Sequence, residues 1–253
     1  MYLVWAEQGL ANRLRTILTY LHLAEKAQAP LYCCWEADEH CPGLFQDYFE
    51  PLYRPIFGQA HWDHHMTLRD VISFRGQGYP TDIAEAHGVN LSDAQHTALY
   101  EKLVLKPELR SQIDAFADSV DIGSCIGLHI RRTDHVKDAV SQTGGYADDN
   151  QFMTQIEALI AQDVQARFFL ATDNAETQQT FQDRFGERLV IYSSVPRSDA
   201  LRKTSLRHAI FDVYLLSKCQ RIFGSTYSSY SQLAHHLSGG RAPLEMLTAR
   251  SKM

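Results

Sequence analysis

Two patterns of apolar residues alternate along the chain, short continuous runs and longer stretches with helical spacing. In the first half they predict a strand at 2–6, a helix at 13–28, a second strand at 31–35 and helical segments within 92–120. Between residues 36 and 88 the periodicity fades, and we predict only loops and short helices there. Pro107 predicts the start or a break of a helix, because proline lacks the N–H that a helix interior needs.

The second half shows a more regular alternation. The pattern predicts strands at 125–130, 168–171, 189–192 and 221–223, and helices at 151–160, 175–185, 206–217 and 228–237. Strands that alternate with helices of this length predict an α/β fold with a parallel sheet covered on both faces. Ligands bind such sheets beyond the carboxyl ends of the strands, so the loops that follow the strands are where we expect the chemistry.

The two halves are predicted to be separate domains. A chain of 253 residues has room for one or two. The first half opens with a strand, a loop and a helix, and the second is a parallel α/β region, so we predict two Rossmann-like domains that face each other across a cleft. The predicted domains are 1–120 and 121–253, with the junction near 118–124.

Charge is unevenly distributed between these halves. The net charge of −6 argues against a general nucleic-acid-binding protein, because phosphate backbones are bound mainly by clustered Lys and Arg. Residues 1–120 carry a net charge of −7 and residues 121–253 a net charge of +1, with arginine as the main base of the second half. The second half is therefore the favoured location for an anionic ligand.

Composition predicts a globular protein without a membrane span. Hydrophobic residues make up 45% and charged residues 21% of the chain. No run of about 18 apolar residues occurs, and the first residues lack the features of an export signal. The five cysteines are an odd number in a chain of this size, which indicates a reducing compartment rather than a disulfide framework. We therefore expect a cytoplasmic protein.

The segment HIRRTD (129–134) follows a predicted buried strand. Arg131 and Arg132 are adjacent, and neighbouring side chains of an extended segment point in opposite directions. One arginine is thus expected to face the ligand while a carboxylate such as Asp134 holds the other. A guanidinium suits a diphosphate because its planar fork donates two parallel hydrogen bonds. From spacing alone, a structural ion pair at the strand end explains the motif equally well.

The segment FGSTYSSYS (223–231) leads from a predicted strand into a helix whose first turn is rich in hydroxyl groups. Backbone N–H groups at a helix N-terminus attract anions, and neighbouring hydroxyls can donate to the same oxygens. Ordinary N-capping is the alternative, because Ser and Thr are preferred there in any case. Together with two arginines on a neighbouring strand, a phosphate site becomes the better prediction.

Two aspartates of the second half have open interpretations. Asp212 lies on the helix before that segment and is either a solvated carboxylate or an acceptor for the N1–H and N2–H₂ edge of guanine. Asp173 follows a predicted strand and is either a helix cap or part of a pocket wall, and we favour the cap.

In the first half, the loop EQGLANR (7–13) follows the first predicted strand. Gly-containing turns between a strand and a helix are common for packing reasons, so the motif alone is weak. It does place Glu7, Asn12 and Arg13 at the predicted cleft edge of this half.

Two clusters have the composition of metal sites without the spacing. The segment HWDHH (61–65) and the pair Cys33 and Cys34 with His40 and Cys41 match no recognised zinc pattern, and no Asp-x-Asp motif occurs. We expect the two adjacent cysteines to pack in a strand and the His-rich segment to line the acceptor side. No metal or cofactor site is predicted.

Taken together, GLANR (9–13), HIRRTD (129–134) and the region from Asp212 through TYSS (226–229) resemble the α1,6-fucosyltransferase and protein O-fucosyltransferase superfamily. The motifs occur in the same order. The match is close in the second half, whereas in the first half only the opening loop agrees. The resemblance implies a GT-B fold, GDP-β-L-fucose as the donor, a glycan or protein acceptor, inversion at the anomeric carbon and no required metal.

The same resemblance implies roles for individual residues. In the donor site, Arg131 contacts the β-phosphate and stabilises departing GDP, His129 lies near the guanosine, Asp212 recognises guanine, Ser228 and Ser229 bind the diphosphate, and Asn12 lies near the phosphate or fucose. The neighbouring residues predicted to contact the donor are Arg13, Arg132, Thr226 and Tyr230.

The catalytic base is where this sequence departs from the family pattern. In the α1,6 enzymes a Glu a few residues beyond the arginine motif serves as the base, and the corresponding position here is Ala139. Asp138 is adjacent and is one candidate. Some protein O-fucosyltransferases use a Glu in the first loop, which makes Glu7 the other, and we rank Glu7 first.

Overall fold

Strands of the chain pair in two parallel sheets. The computed structural model describes residues 1–132, 139–141, 145–195 and 204–248. Within those residues the first sheet contains β1 (Tyr2–Ala6), β2 (Leu31–Cys34), β3 (Arg54–Ile56) and β4 (Ile72–Gly76), in the order β3-β2-β1-β4. The second contains β5 (Ile126–Ile130), β6 (Phe168–Thr172), β7 (Leu189–Val190), β8 (Arg221–Ser225) and β9 (Leu244–Leu247), in the order β7-β6-β5-β8-β9. The predicted α/β class with parallel sheets is confirmed.

Helices connect these strands. In the first half they are α1 (Leu10–Lys26), α2 (Gly58–Met66), α3 (Pro80–Ala86), α4 (Asp93–Leu99) and α5 (Pro107–Ser119). In the second half they are α6 (Asp149–Gln162), α7 (Ala175–Phe185), α8 (Leu206–Leu216) and α9 (Ser229–Leu237). Capping defines several starts: Asp148 forms a capping box with Gln151 at α6, and the Ser205 side chain accepts from the backbone N–H of His208 at α8.

The chain divides into two compact units, 1–110 and 111–253, and the division falls within α5. Pro107 begins that helix, as predicted. The arrangement of two domains across a cleft, with an acceptor side and a donor side, stays a prediction.

Aromatic and aliphatic side chains fill the core of the second unit. Every residue of β6 is buried, and so are Phe152 of α6, Phe181 of α7 and Phe223 of β8. Burying side chains of this size stabilises the fold by about 1.5–3 kcal/mol each. A Cβ at Gly127 of β5 would lie 3.0 Å from Leu216 Cδ2, so glycine lets α8 pack closely on the sheet.

Buried strands were easier to predict than strands at the sheet edges. The segment 36–88, predicted as loops and short helices only, also contains β3 and β4. Both lie at the edges of the first sheet and expose most of their residues, so they have no apolar run. The edge strand β9, of which only Glu245 is exposed, was also not predicted.

Two predictions concern the cysteines and membrane-spanning segments. Cys33 and Cys34 are buried in β2, as predicted, and all five cysteines are buried and unpaired. Across the described part of the chain, no helix has the length and apolar character needed to span a bilayer.

Candidate functional site

The carboxyl edge of the second sheet brings together polar residues from three strands. β5 lies between β6 and β8, and His129 of β5 is in register with Ala171 and Gly224. The residues that directly follow these strands therefore emerge side by side at the same edge. They include Arg131 after β5 and Asp173 after β6.

Arg131 is held in place by contacts with both neighbouring strands. Its Nη1 lies 2.9 Å from Asp173 Oδ2, and its backbone N–H donates to Ser225 Oγ at 2.9 Å. The Ser225 hydroxyl in turn donates to the His129 carbonyl at 3.2 Å. The Arg131 side chain keeps 17% of its surface exposed, whereas Asp173 keeps 9%. The guanidinium is therefore oriented by the protein, and the Arg131 side chain remains partly accessible.

Arg132 contacts a different carboxylate. Its Nε and Nη2 donate to Asp149 Oδ1 at 2.9 Å and 2.6 Å, and Thr177 Oγ1 donates to Asp149 Oδ2 at 3.1 Å. Asp149 of α6, which sequence analysis did not identify, is therefore a carboxylate that holds this arginine. Asp134, which was suggested for that role, lies outside the described residues. Contact between Arg132 and the donor stays a prediction.

Asp173 is not the helix cap that we favoured. Asn174 is the N-cap of α7, where its Oδ1 accepts from the backbone N–H of Thr177 at 2.8 Å. Asp173 instead accepts from the Arg132 backbone N–H through Oδ1, at 2.8 Å, and contacts the Arg131 guanidinium through Oδ2. One carboxylate therefore orients two consecutive residues of the arginine motif. The cap was the wrong interpretation because the next residue, Asn174, fills that position.

His129 connects β5 with the start of α9. Its ring is buried, with Nδ1 2.7 Å from Ser231 Oγ and 3.5 Å from Ser228 Oγ. The Tyr230 ring lies 4.6 Å from the imidazole, centroid to centroid. This close approach depends on Gly224, because a Cβ there would lie 2.4 Å from Ser231 Oγ. Glycine at this position thus allows the hydroxyl-rich turn to reach the sheet edge.

The hydroxyl groups of that turn differ in their contacts. Ser228 is the N-cap residue of α9, yet its side chain makes no capping bond to the described helix backbone. Thr226 Oγ1 donates to the Leu247 carbonyl, and Tyr230 OH donates to the Ala209 carbonyl of α8. Burial raises the pKa of the Tyr230 phenol well above its usual value. Thr226 and Tyr230 thus link elements, while donor contacts of Ser228 and Ser229 stay predictions.

Asp212 lies inside the protein, so its interpretation as a solvated carboxylate was wrong. His208, one turn earlier on α8, has its Nε2 3.2 Å from Asp212 Oδ2, and both side chains are about nine-tenths buried. Burial raises the pKa of the Asp212 carboxyl. Burial also opposes protonation of His208, but its hydrogen bond and charge attraction to Asp212 outweigh that effect and raise the pKa of His208. His208 was not identified from the sequence, although its i,i+4 spacing from Asp212 is a usable signal.

In the first unit, Glu7 follows β1 and forms an ion pair at the carboxyl edge of the first sheet. Arg75 of β4 donates from Nε to Glu7 Oε1 at 2.8 Å and from Nη1 to Gln59 Oε1 at 3.1 Å. The guanidinium also lies over the Trp5 ring, 3.9 Å from its centroid. Arg75 is 47% and Glu7 37% exposed, so this pair is far more solvated than that of Arg131.

The Arg13 side chain is enclosed by protein groups. It is 1% exposed, its Nε donates to the Gln8 carbonyl at 2.6 Å, its Nη2 contacts Asp38 at 2.5 Å and its Nη1 donates to the Glu36 carbonyl. These contacts tie the loop after β1 to the segment after β2.

Asn12 is bound within its own helix. Its Oδ1 accepts from Arg15 Nη2 at 3.1 Å. The donor contacts expected for Asn12 and Arg13 stay predictions.

The second candidate base cannot be placed in the site. Asp138 lies outside the described residues, and the neighbouring Ala139 is buried. The His-rich segment 61–65 belongs to α2. Among the residues that the structure describes, no group of three or more His, Cys, Asp or Glu side chains could hold a metal ion.

Solved structures of two kinds of fucosyltransferase are similar to this chain. The NodZ alpha-1,6-fucosyltransferase soaked with GDP-fucose has a TM-score of 0.63 at 17% identity, over 93% of this chain and 92% of that chain. The fucosyltransferase NodZ from Bradyrhizobium gives 0.60 at 16% identity, over 92% and 91%. POFUT1 in complex with GDP-fucose gives 0.61 at 11% identity, over 98% of both chains.

This chain shares the fold of these fucosyltransferases. The similarity extends over nearly the whole length of each chain. The resemblance inferred from the motifs is therefore confirmed at the level of the fold, and with it the GT-B fold class. No protein-family model and no curated protein matches the sequence.

Proposed function

We propose that this protein is an inverting, metal-independent fucosyltransferase that moves L-fucose from GDP-fucose to a glycan or protein acceptor. The observation that carries the proposal is the partly exposed Arg131 side chain at the carboxyl end of β5, whose guanidinium is oriented by Asp173. It occurs in a chain with the fold of fucosyltransferases that were solved with GDP and GDP-fucose. Other GDP-sugars share the same nucleotide, so the identity of the sugar requires a separate test from the identity of the nucleotide.

Arg131 has the chemistry that departure of GDP requires. As the glycosidic bond breaks, negative charge grows on the β-phosphate oxygen that leaves with GDP. A cation that is already oriented binds that charge more strongly in the transition state than in the ground state, and this difference accelerates the reaction. Asp173 holds the guanidinium in one geometry, which reduces the reorganisation needed during the reaction. The backbone N–H groups at the start of α9 supply further donors.

Glu7 is the first candidate for activating the acceptor. A general base must accept the proton of the attacking hydroxyl, and Glu7 offers a partly exposed carboxylate in the loop after β1. Replacement Glu7→Gln keeps the size of the side chain and removes the basic oxygen. We expect this variant to bind GDP normally and to lose transfer by about 10²-fold or more. Normal transfer in Glu7→Gln would move the role to Asp138.

A thermal-shift panel tests the proposed donor. A ligand that binds only the folded state raises the melting temperature. We expect GDP and GDP-fucose to raise it more than UDP, ADP or CDP do, and GDP-fucose to raise it more than GDP-mannose. Equal shifts for all diphosphates would contradict the guanosine donor.

Treatment with EDTA tests the metal-independent mechanism and is expected to leave the thermal shift and the turnover unchanged. Loss of turnover, followed by recovery with a divalent ion, would contradict that mechanism.

A nucleotide-binding protein without transferase activity is the second candidate function, and Ala139 favours it. This residue, which stands where the α1,6 enzymes place a Glu, is buried and carries no ionisable group. Release of GDP from GDP-fucose, with and without an acceptor panel, distinguishes the two functions. We expect measurable GDP release from the enzyme. Tight GDP binding with no release under any condition would identify the binding protein.

A further inference from the structure

His208 and Asp212 form a buried pair on one face of α8. They are spaced i,i+4, so their side chains lie one above the other on the helix. His208 Nε2 is 3.2 Å from Asp212 Oδ2, and their side chains are 10% and 9% exposed. A buried carboxylate is costly unless a donor compensates for lost water, and His208 is the described side chain that provides this compensation.

Two tyrosine side chains lie near the pair. The Tyr192 ring, which follows β7, meets the His208 ring edge-on at 6.1 Å and stacks on Phe211 at 4.7 Å. From α9, Tyr230 donates its hydroxyl to the carbonyl of Ala209, directly after His208. The charges of Arg131 and Asp173 act on Tyr230 from the sheet edge. Tyr230 therefore lies close both to the pair and to the arginine motif.

Among the described contacts, the Asp212 carboxylate retains capacity to accept further hydrogen bonds. His208 meets one oxygen, Oδ2, and each carboxylate oxygen accepts more than one hydrogen bond. A guanine edge presents two adjacent donors, N1–H and N2–H₂, which match the two oxygens of a carboxylate. This match requires the carboxylate to be ionised and to have a fixed orientation, and its described contact with His208 acts toward both.

We propose that His208 is a positioning residue that orients the Asp212 carboxylate and keeps it ionised for binding the guanine edge of the donor. The inference rests on the proposed function and adds a residue to its base-recognition site. His208 itself does not contact the ligand. Selectivity for guanine is thus expected to depend on the hydrogen-bond donor at position 208.

The direction of the pH effect follows from the carboxyl group. Because the pKa of Asp212 is raised, this carboxyl takes up a proton at a higher pH than an ordinary aspartate as the solution is acidified. The protonated form accepts less well, so affinity for GDP decreases as the pH falls through the pKa of this carboxyl, while protonation of His208, whose pKa is also raised, opposes that uptake. Without the His208 donor the ionised carboxylate loses support, and this decrease is expected to begin at a higher pH.

Isothermal titration with GDP, IDP and ADP at several pH values tests the proposal. IDP lacks the N2 amino group and ADP presents neither guanine donor. His208→Phe fills the space without a donor, whereas His208→Gln places an amide N–H near the position of Nε2. We expect His208→Phe to lose about tenfold of its preference for GDP over IDP and ADP, which is one hydrogen bond of about 1.4 kcal/mol. His208→Gln is expected to retain most of that preference.

Two further variants separate this role from a structural one. His235 is a half-buried histidine of α9 whose Nδ1 lies 2.8 Å from the Ala242 carbonyl, so His235→Phe is the matched control and is expected to leave nucleotide preference unchanged. Arg131→Ala is expected to weaken GDP, IDP and ADP alike. If His208→Phe does not fold, His208→Asn gives the same test, because its shorter side chain does not reach Asp212.

The outcomes distinguish the inference from the function on which it rests. A folded His208→Phe protein with unchanged nucleotide preference and an unchanged pH midpoint would overturn the role of His208, even if GDP binding still depends on Arg131. Absence of nucleotide binding by the unaltered protein would instead contradict the proposed function. Loss of preference in His208→Phe, with retention in His208→Gln, supports the inference.

Discussion

Arg13 of the first unit and Arg131 of the second are both largely buried, yet their surroundings differ. All three nitrogens of the Arg13 guanidinium contact protein oxygens, and its side chain is 1% exposed. Arg131 contacts Asp173 through Nη1 and is 17% exposed. A guanidinium enclosed by protein acceptors stabilises the fold, whereas one that is oriented at a strand end and partly accessible can also bind an anion. The fraction of the side chain that is exposed therefore distinguishes the two environments.

The largest effect is expected from removing the second of these arginines. Arg131→Ala should lower the rate of GDP release from GDP-fucose by about 10²–10³, because a fixed donor to the developing charge is lost. Arg131→Lys keeps the charge without the planar fork, and its rate of GDP release should lie between those of Arg131→Ala and the unaltered protein. Near-normal release of GDP from GDP-fucose by Arg131→Ala would contradict the distinction drawn between Arg13 and Arg131.

Replacement of Arg13 should act on folding. Arg13→Met keeps most of the volume and removes every hydrogen bond of the guanidinium, so we expect a loss of about 3 kcal/mol in the free energy of unfolding. Denaturant titration measures this loss. At temperatures where the variant is folded, the enclosure of Arg13 by protein oxygens predicts the same GDP affinity as in the unaltered protein, against the donor contact that its motif suggested. A selective loss of GDP affinity without loss of stability would show that Arg13 contacts the donor.

A smaller change is expected at the solvated pair of the first unit. Arg75→Gln removes the ion pair with Glu7, and exposed pairs contribute only about 0.2–1 kcal/mol. Denaturant titration of this variant beside Arg13→Met compares an exposed and an enclosed arginine of the same unit. Equal losses in the two variants would contradict the distinction drawn from exposure.

Sequence patterns predicted the buried parts of the fold well. The strands β5, β6 and β8 were anticipated because central strands of a parallel sheet are apolar on both faces. The edge strands β3 and β4 were not, because their exposed residues follow no apolar pattern. Periodicity reports burial, so it is weakest where a strand is exposed.

The sequence motifs of the candidate site were predicted, but the carboxylates that pair with their arginines were not. Arg131, His129 and Ser228 were identified from local sequence, but Asp173 was assigned to a helix cap and Asp149 was not considered. These pairings depend on which strands and helices become neighbours in the fold, and β5 pairs with β6 across about forty residues of sequence. Local patterns carry little information about such contacts.

The most direct test of the account is the affinity of GDP for the protein with and without Arg131. Isothermal titration should show binding of GDP to the unaltered protein and a loss of about 1.5–3 kcal/mol in the Arg131→Ala variant, roughly ten- to a hundredfold in affinity, while its circular dichroism spectrum stays unchanged. Equal GDP affinity in the two proteins would contradict the claim that this guanidinium binds the diphosphate.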